Sequence, residues 1–478
     1  MSTNWKIAAV LVPFLVSGCA DFKGMPSLEM ALPESFQQKA VVDTPAKLQK
    51  DWWKNTDDDT LKTIIAQLET QNLSLEQARF RLNAAREDTR ASDFLPSLTA
   101  TTDAQYNRLI KGETAVQNIG APQEGGKKTT GYYNARIDAS WEVPIYGQFS
   151  DASNIKNANI AFAEADIEAV RASVISEAVR LYAEMRAKQQ EIRNREVISA
   201  SATKIAGYHA IKHKAGLITD TELGNSKQSQ LSAENDLQIA QSELVAREQQ
   251  LAKLLGKVAP DEAWRKVADI PVFVLPAFDD APLDVLRNRP DIRKAEASVL
   301  AAAGDFELAK SEMYPKLTLS GNLSQLGNLT GKPLMGKTIQ LGGVPSLSLP
   351  LFDWGKRLSN AKIRDEKLSE TASAYRETVI GAMNEVEEFW SAYLAAQGSE
   401  VTSKENADIA SKATDHAALL FKQGIADGIE AENAAIEAAR SAITHLQSRA
   451  DTIAKLTVLT KALGGTSTSA PTNEKTHD

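Results

Sequence analysis

The chain has 478 residues, with 54 lysines and arginines against 62 aspartates and glutamates, a formal net charge of −8. The acidic balance excludes nucleic acid as a main partner, because no basic excess is present to neutralise phosphates. One cysteine excludes a disulfide framework and any Cys-cluster metal site. At roughly 150 residues per domain the length suggests three domains, and an aromatic content of 6% suits long helices better than a large sandwich core.

The single cysteine is Cys19. Lys6 supplies a positive start and residues 7–15 a short apolar stretch, too short to span a bilayer and of the form of a signal peptide. The stretch ends Val16-Ser17-Gly18-Cys19, which resembles a bacterial lipobox, where small residues admit the signal peptidase and the cysteine thiol is acylated. On that resemblance residues 1–18 are a lipoprotein signal peptide, Cys19 is the lipid attachment point and 19–60 is a lipid-anchored segment. Ala20, rather than an aspartate, follows the cysteine, which on the same resemblance directs the protein to the outer membrane. No later segment approaches 18 consecutive apolar residues, so no transmembrane helix is expected. Acyl chains anchor; they do not span.

Beyond the anchor the chain is written twice. Residues 86–99, with Pro96, recur in type at 305–318, with Pro315; at each proline a helix ends and a strand begins. Further on, a constant shift of 208 pairs Gly147 with Gly355, Glu177 with Glu385, Tyr182 with Trp390, Gly216 with Gly424 and Gly256 with Gly464. Internal repeats reset the domain count. The first repeat is 61–259, with a β-hairpin at 96–146 and a helix pair turning near 216. A proline-bearing linker, 260–282, leads to the second repeat, 283–465, with a β-hairpin at 315–352 and a helix pair turning near 424. A polar tail, 466–478, follows. Each repeat reads helix, strand, loop, strand, helix, helix.

The strand segments alternate. Leu98, Ala100, Thr102, Ala104 and Tyr106 alternate with polar residues, as do Tyr133, Ala135, Ile137, Ala139, Trp141 and Val143. Leu317, Leu319, Gly321 and Leu323 repeat the pattern, and Leu347, Leu349 and Leu351 do so weakly. Period-two patterning over about ten residues is what a membrane β-barrel strand requires, apolar to lipid and polar to lumen; a half-buried soluble sheet patterns identically. The loops at 108–130 and 325–338, rich in Gly, Lys and Asn, fit exposed tips. Four strands cannot close, and an open edge in lipid leaves backbone groups without partners. Two copies would give eight strands with a filled lumen, three would give twelve with room for a channel. The remaining sequence is amphipathic helix, with seams at Leu237, Ala240, Leu244, Leu251 and Leu254 and at Ile436, Ala439, Ile443, Leu446, Ala450 and Ile453.

Residues 286–296, Leu-Arg-Asn-Arg-Pro-Asp-Ile-Arg-Lys-Ala-Glu, resemble the repeat-opening motif of TolC-type outer membrane factors, in the lipoprotein branch that serves RND-type efflux systems. Trp52-Trp53 with residues 57–61 and 71–78 resembles that branch's N-terminal block. Residues 141–147 and 349–357 resemble its two strand-to-helix entries, and 459–465 its closing motif. The resemblance runs from the lipobox to Gly465. It implies an α+β membrane protein, internally duplicated, whose four β-strands per protomer join a trimeric twelve-stranded barrel and whose long coiled-coil helices form a periplasmic tunnel. It implies a homotrimer in outer membrane lipid, a periplasmic adaptor (membrane fusion) protein docking at the tips, here Gly216, Leu217, Gly424 and Ile425, and an inner membrane RND-type transporter beyond it. It also places Glu430, and Asn433 where a second acid is often seen, at the pore gate. Ala426 stands where some members carry a latch arginine, a departure from the pattern.

Catalytic chemistry is not legible. His209 and His213 have metal-compatible spacing, but Ala210 replaces the glutamate of a zinc protease motif and no further ligand lies nearby. Residues 327–333 fall one residue short of a phosphate loop and end in proline, and no nucleophile elbow occurs. The expectation is a non-enzymatic outer membrane exit duct, without cofactors, gated at its periplasmic end. A duct for protein (type I) secretion and a non-channel periplasmic coiled-coil scaffold are the alternatives.

Overall fold

The computed structural model describes residues 22–30, 51–90, 94–108, 129–273, 286–328, 338–350 and 352–464. The lipobox with Cys19, most of the two loops, part of the linker and the polar tail lie outside the described residues. In chain order the elements are α1 (Asp59–Gln71), α2 (Leu73–Asp88), β1 (Ser97–Arg108), β2 (Thr129–Val143), α3 (Gln148–Lys214) and α4 (Asp220–Leu254). After the linker come α5 (Pro290–Ser311), β3 (Lys316–Asn328), β4 (Thr338–Ser348), α6 (Lys356–Lys422) and α7 (Gly428–Ala462). Helices α3 and α6 each have 67 residues, and α4 and α7 each have 35. Their first residues differ by 356 − 148 = 208 and 428 − 220 = 208, so the shift read from the sequence is the spacing of the elements. Gly147 and Gly355, Gly216 and Gly424, and Gly256 and Gly464 all carry positive φ. Among the described residues no helix is long and apolar enough to cross a membrane.

The chain divides into two units, each built from both repeats. The first holds residues 1–27, 91–155 and 300–372 and contains the sheet, in which the strands pair antiparallel in the order β1-β2-β3-β4. Register lines up the apolar positions of all four strands: Ala100 pairs with Ile137, Ile137 with Leu323 and Leu323 with Leu341. One row away, Leu98 meets Ala139, Ala139 meets Gly321 and Gly321 meets Gly343. Because side chains alternate at period two, these rows gather most of the sheet's apolar residues on one face, interrupted by Thr102 and Gln325 in the row of Ala135 and Ile339. The opposite face carries Thr99, Asp138 and Asn322 in one row and Thr101, Arg136, Ser324 and Gln340 in the next. Arg136 and Asp138 pair there at 2.7 Å, and Lys316 and Glu142 at 3.1 Å. The apolar face is open: Leu98, Leu341 and Leu347 are 75%, 84% and 71% exposed. Strands β1 and β4 end the sheet, their outer edges unpaired among the described residues.

The second unit is helical and holds residues 28–90, 156–299 and 373–478. Leu61, Ile64, Ile65 and Leu68 fall at i, i+3, i+4 and i+7 on α1 and are buried. They pack with Trp52 and Trp53, with Ile175, Val179, Tyr182 and Met185 of α3, and with Leu251, Leu446, Ile453 and Leu456 of α4 and α7. The expected seams face inward, with Ala240, Leu251, Ala439, Ile443, Leu446, Ala450 and Ile453 buried. Asp58 caps α1 through Leu61 N–H and also accepts from the Tyr182 hydroxyl at 2.6 Å. Arg186, 1% exposed, donates to the carbonyls of Trp264 and Lys266 and so pins the linker to α3.

Each repeat closes its last helix onto its first by the same joint, made with different chemistry. A helix end leaves carbonyls without intrahelical donors. In the first repeat the Asn72 amide, at the cap of α2, donates to Leu254 carbonyl at 2.7 Å, and Gly256 abuts the Gln71 backbone so closely that a Cβ would lie 2.9 Å from its oxygen. In the second repeat the acceptor is Ala462, at 254 + 208 = 462, and the donor is Arg289 at 2.8 Å. Arg289 is buried and also holds Asp291 and Glu385, each at 2.6 Å. Burial works to raise the Asp291 carboxyl, but the Arg289 guanidinium outweighs it and holds the carboxyl below the usual carboxylate range. Arg289→Ala should therefore cost about 2–3 kcal/mol, since two half-exposed carboxylates and one helix-end carbonyl lose a buried donor. A lower denaturant midpoint of the purified protein measures it, and Arg289→Lys should recover only part, because an ammonium cannot form the fork.

Candidate functional site

The two interhelical turns are built alike. At the end of α3, Leu217 N–H donates to Lys212 carbonyl and Gly216 N–H to His213 carbonyl, each at 2.9 Å; at the end of α6, Ile425 N–H donates to Leu420 carbonyl and Gly424 N–H to Phe421 carbonyl, also at 2.9 Å. This six-to-one and five-to-two pairing is a Schellman closure, which needs a left-handed residue after the helix. Gly216 and Gly424 supply it with φ of +69° and +73°. The residues that follow the glycines, Leu217 and Ile425, are 73% and 71% exposed. Two large apolar residues held in water on short rigid turns mark a surface that another molecule can cover.

Past the turns the repeats diverge. Glu430 and Asn433 lie three residues apart in the first turns of α7 and therefore on one face, and both are exposed. The 208 shift gives them counterparts in α4 that the sequence reading passed over, Glu222 and Asn225. Glu222 is engaged: its carboxylate accepts from Thr219 N–H at 2.8 Å and from the Thr219 hydroxyl at 3.0 Å, while Thr219 Oγ1 accepts from Glu222 N–H. This is a capping box, and the Thr219 N–H bond holds the Glu222 carboxyl below its usual range. In α7 the cap is Asp427, which accepts from Ile429 N–H at 3.2 Å by itself. Glu430 is left out of the cap. Two glutamates equivalent by the repeat thus differ: Glu222 completes a cap, and Asp427 caps α7 without Glu430.

Two ion pairs join the first repeat's helix α3 to the second repeat's α7. Lys212 Nζ lies 2.5 Å from Asp427 Oδ2, and Lys204 Nζ lies 2.8 Å from Glu432 Oε1. The rings of Tyr208 and Phe421 close over Gly428, where a Cβ would stand 3.0 Å from both. His213 Nε2 lies 2.7 Å from Asp220 Oδ1, and His209 Nδ1 is buried without a hydrogen-bond partner among the described residues. The two histidines thus face different surroundings, and no group of three metal-ligating side chains forms among the described residues. Further along the same helices a polar groove lies between α3, α4 and α7, lined by Arg195, Gln228, Asp236, Arg440, Thr444 and Gln447.

The Lys212–Asp427 clasp has a defined pH sign. The hydrogen bond from Lys212, then that from Ile429 N–H, holds the Asp427 carboxyl below its ordinary value of 3.8. A depressed folded-state value means that the contact acts above 3.8 and is lost as pH falls through the lower value. Between pH 7 and pH 5 amide protection of residues 427–431, corrected for intrinsic exchange, should stay constant. Lys212→Ala should reduce that protection by several-fold at pH 7, read by hydrogen exchange.

The model of the outer membrane efflux protein family matches residues 64–257 and 281–465. Nodulation protein T of Rhizobium leguminosarum bv. viciae is 26% identical over 399 residues, covering 80% of this chain and 78% of that one. The pyoverdine export outer membrane protein OpmQ of Pseudomonas aeruginosa is 26% identical over 392 residues, 80% of each, and the cation efflux system protein CusC of Escherichia coli is 21% identical over 400, 80% of this chain and 82% of that one. Among solved structures the outer-membrane channel OprN superposes with a TM-score of 0.75 at 22% identity over 94% of this chain and 99% of that one. The open state of the Neisseria gonorrhoeae MtrE outer membrane channel gives 0.73 at 19% over 94% and 98%. The channel fold, the duplicated pattern and the family match agree: the chain belongs to the outer membrane efflux protein family.

Proposed function

We propose that the chain is the passive exit duct of a tripartite efflux pump, anchored through acylated Cys19 and assembled as a homotrimer. Three four-stranded sheets close a twelve-stranded barrel, and the helices continue as a periplasmic tunnel. The carrying observation is the sheet, predominantly apolar on one face, predominantly polar on the other, and unpaired at both edges among the described residues. Lipid accepts such a face but not such edges, since each unpaired backbone group in hydrocarbon costs several kcal/mol. Closure among copies satisfies both demands, and the polar face then lines a wet lumen. A soluble scaffold would leave the apolar face in water.

A periplasmic adaptor fits the turns at Gly216, Leu217, Gly424 and Ile425, whose exposed Leu and Ile offer apolar contacts. An inner membrane RND-type transporter supplies the energy, since a duct of this kind performs no chemistry. Relatives named for pyoverdine export and for cation efflux align at similar identity, which supports a duct that leaves substrate choice to the transporter. Glu430 and Asn433 form the constriction. Three copies of Glu430 around a narrow pore repel one another and attract cations, and the clasp between α3 and α7 holds the tips until the adaptor draws them apart.

Two outcomes test the duct. Ile137→Lys or Leu323→Lys, in the middle of the apolar face, should cost about 2–4 kcal/mol in lipid and deplete heat-resistant trimers in the outer membrane. Asn322→Lys, on the opposite face, should leave trimer yield near wild type; equal yields from all three would sink the barrel. Glu430→Ala should raise single-channel conductance in planar bilayers several-fold and weaken cation preference, whereas unchanged conductance removes Glu430 from the gate.

A further inference from the structure

The chain just beyond Cys19 is held by a device that the duct mechanism does not use. Lys23 N–H donates to Asp365 Oδ2 at 2.7 Å and Gly24 N–H to Asp365 Oδ1 at 3.0 Å, so one carboxylate on α6 takes two consecutive backbone donors. Gly24, with φ of +66°, bends the backbone so that both amides converge. Lys23 Nζ forks onto Glu366 at 2.8 and 2.7 Å, and the Phe22 ring meets buried Phe306 of α5 edge-on at 5.4 Å. Three successive residues are thus gripped by three separate contacts, all within the sheet-bearing unit. Asp365 is 4% exposed. A carboxylate buried on a helix is costly unless hydrogen-bonded, and the bonds that satisfy it come from residues 23 and 24.

We propose that Asp365 is a dock that fixes the lipid anchor at a set level against the membrane end of the duct. The proposal rests on the reading of Cys19 as the acylated residue. From Cys19 to Lys23 is four residues, at most about 13–14 Å of extended chain. Asp365 lies nine residues into α6, about 13–14 Å along the axis from its start at Lys356. Just ahead of that start stand Phe352 and Trp354, 75% and 90% exposed, with rings 4.9 Å apart. Exposed aromatics at the end of a membrane sheet sit at the headgroup level. The tether from the dock is thus long enough to bring Cys19 to the level of this aromatic pair, and no longer. An undocked N-terminus would let the anchor wander by the length of its tether. Held at Asp365, the anchor fixes the height at which the sheet meets the membrane, and Asp365 acts as a positioning residue.

The experiment uses the full-length acylated protein in outer membranes of a Gram-negative host. Trypsin cleavage after Lys23 requires that the Lys23–Gly24 backbone leave Asp365. Asp365→Ala should speed that cleavage at least about tenfold, while heat-resistant trimers that do form keep wild-type conductance. Phe22→Ala weakens the same dock from the other side without altering α6, and should also speed cleavage if Asp365→Ala does not fold. Unchanged cleavage in a folded variant overturns the dock. A second arm separates docking from mere structural support. With residues 1–18 exchanged for the signal of a soluble secreted protein and Cys19→Ser, Asp365→Ala should reduce trimer yield no further; in the acylated chain it should reduce it several-fold. An equal loss in both backgrounds overturns the positioning role. Mass spectrometry of the released 19–23 peptide tests acylation on its own: an unmodified cysteine overturns the anchor reading while cleavage still reports the dock.

Discussion

Backbone amides cannot end in hydrocarbon, and most of this chain's architecture follows from that one constraint. The four strands satisfy their neighbours inside the sheet but, among the described residues, leave the outer sides of β1 and β4 without ladders. One apolar face directs the sheet to lipid; the two edges direct it to other copies. Neither demand alone specifies a channel. Together they require a closed ring of sheets whose inner face is the polar one, and on that face Arg136, Asp138, Asn322 and Gln340 stand in adjacent rows.

The same economy appears in the helices. A 35-residue helix following a 67-residue one, twice, gives two pairs that each turn at a glycine and return. The turns repeat their hydrogen bonds pair for pair, yet their caps differ by a single residue type, Thr219 against Asp427. At Thr219 the glutamate three residues on closes a reciprocal box, and at Asp427 it does not. The repeat thus holds two equivalent glutamates, of which Glu222 is taken up by a cap and Glu430 is not.

Much of this was legible in the sequence where it depended on spacing. The 208 shift reproduces the bounds of α3, α4, α6 and α7, and the alternation in 97–106, 132–143 and 317–323 falls inside β1, β2 and β3. Strand β4 was read from its far end only, at Leu347, because Gly342, Gly343 and Pro345 dilute the apolar series that Ile339 and Leu341 begin. The long-range polar contacts were illegible for a different reason. Lys23 meets Asp365 across 342 residues and Lys212 meets Asp427 across 215, and a charged residue on a helix looks the same in sequence whether it is solvated or engaged. Glu222 alone could have been found, by applying the repeat shift to Glu430.

The joint between the last and first helices of each repeat has a consequence for how the two halves respond to their surroundings. In the first repeat the carbonyl of Leu254 is met by a neutral amide, in the second the carbonyl of Ala462 by a guanidinium balanced by two carboxylates. Neutral hydrogen bonds are nearly indifferent to salt and acid, whereas partly exposed ion pairs weaken with both. Two joints at equivalent places thus differ in kind: the first is nearly indifferent to the medium and the second responds to it.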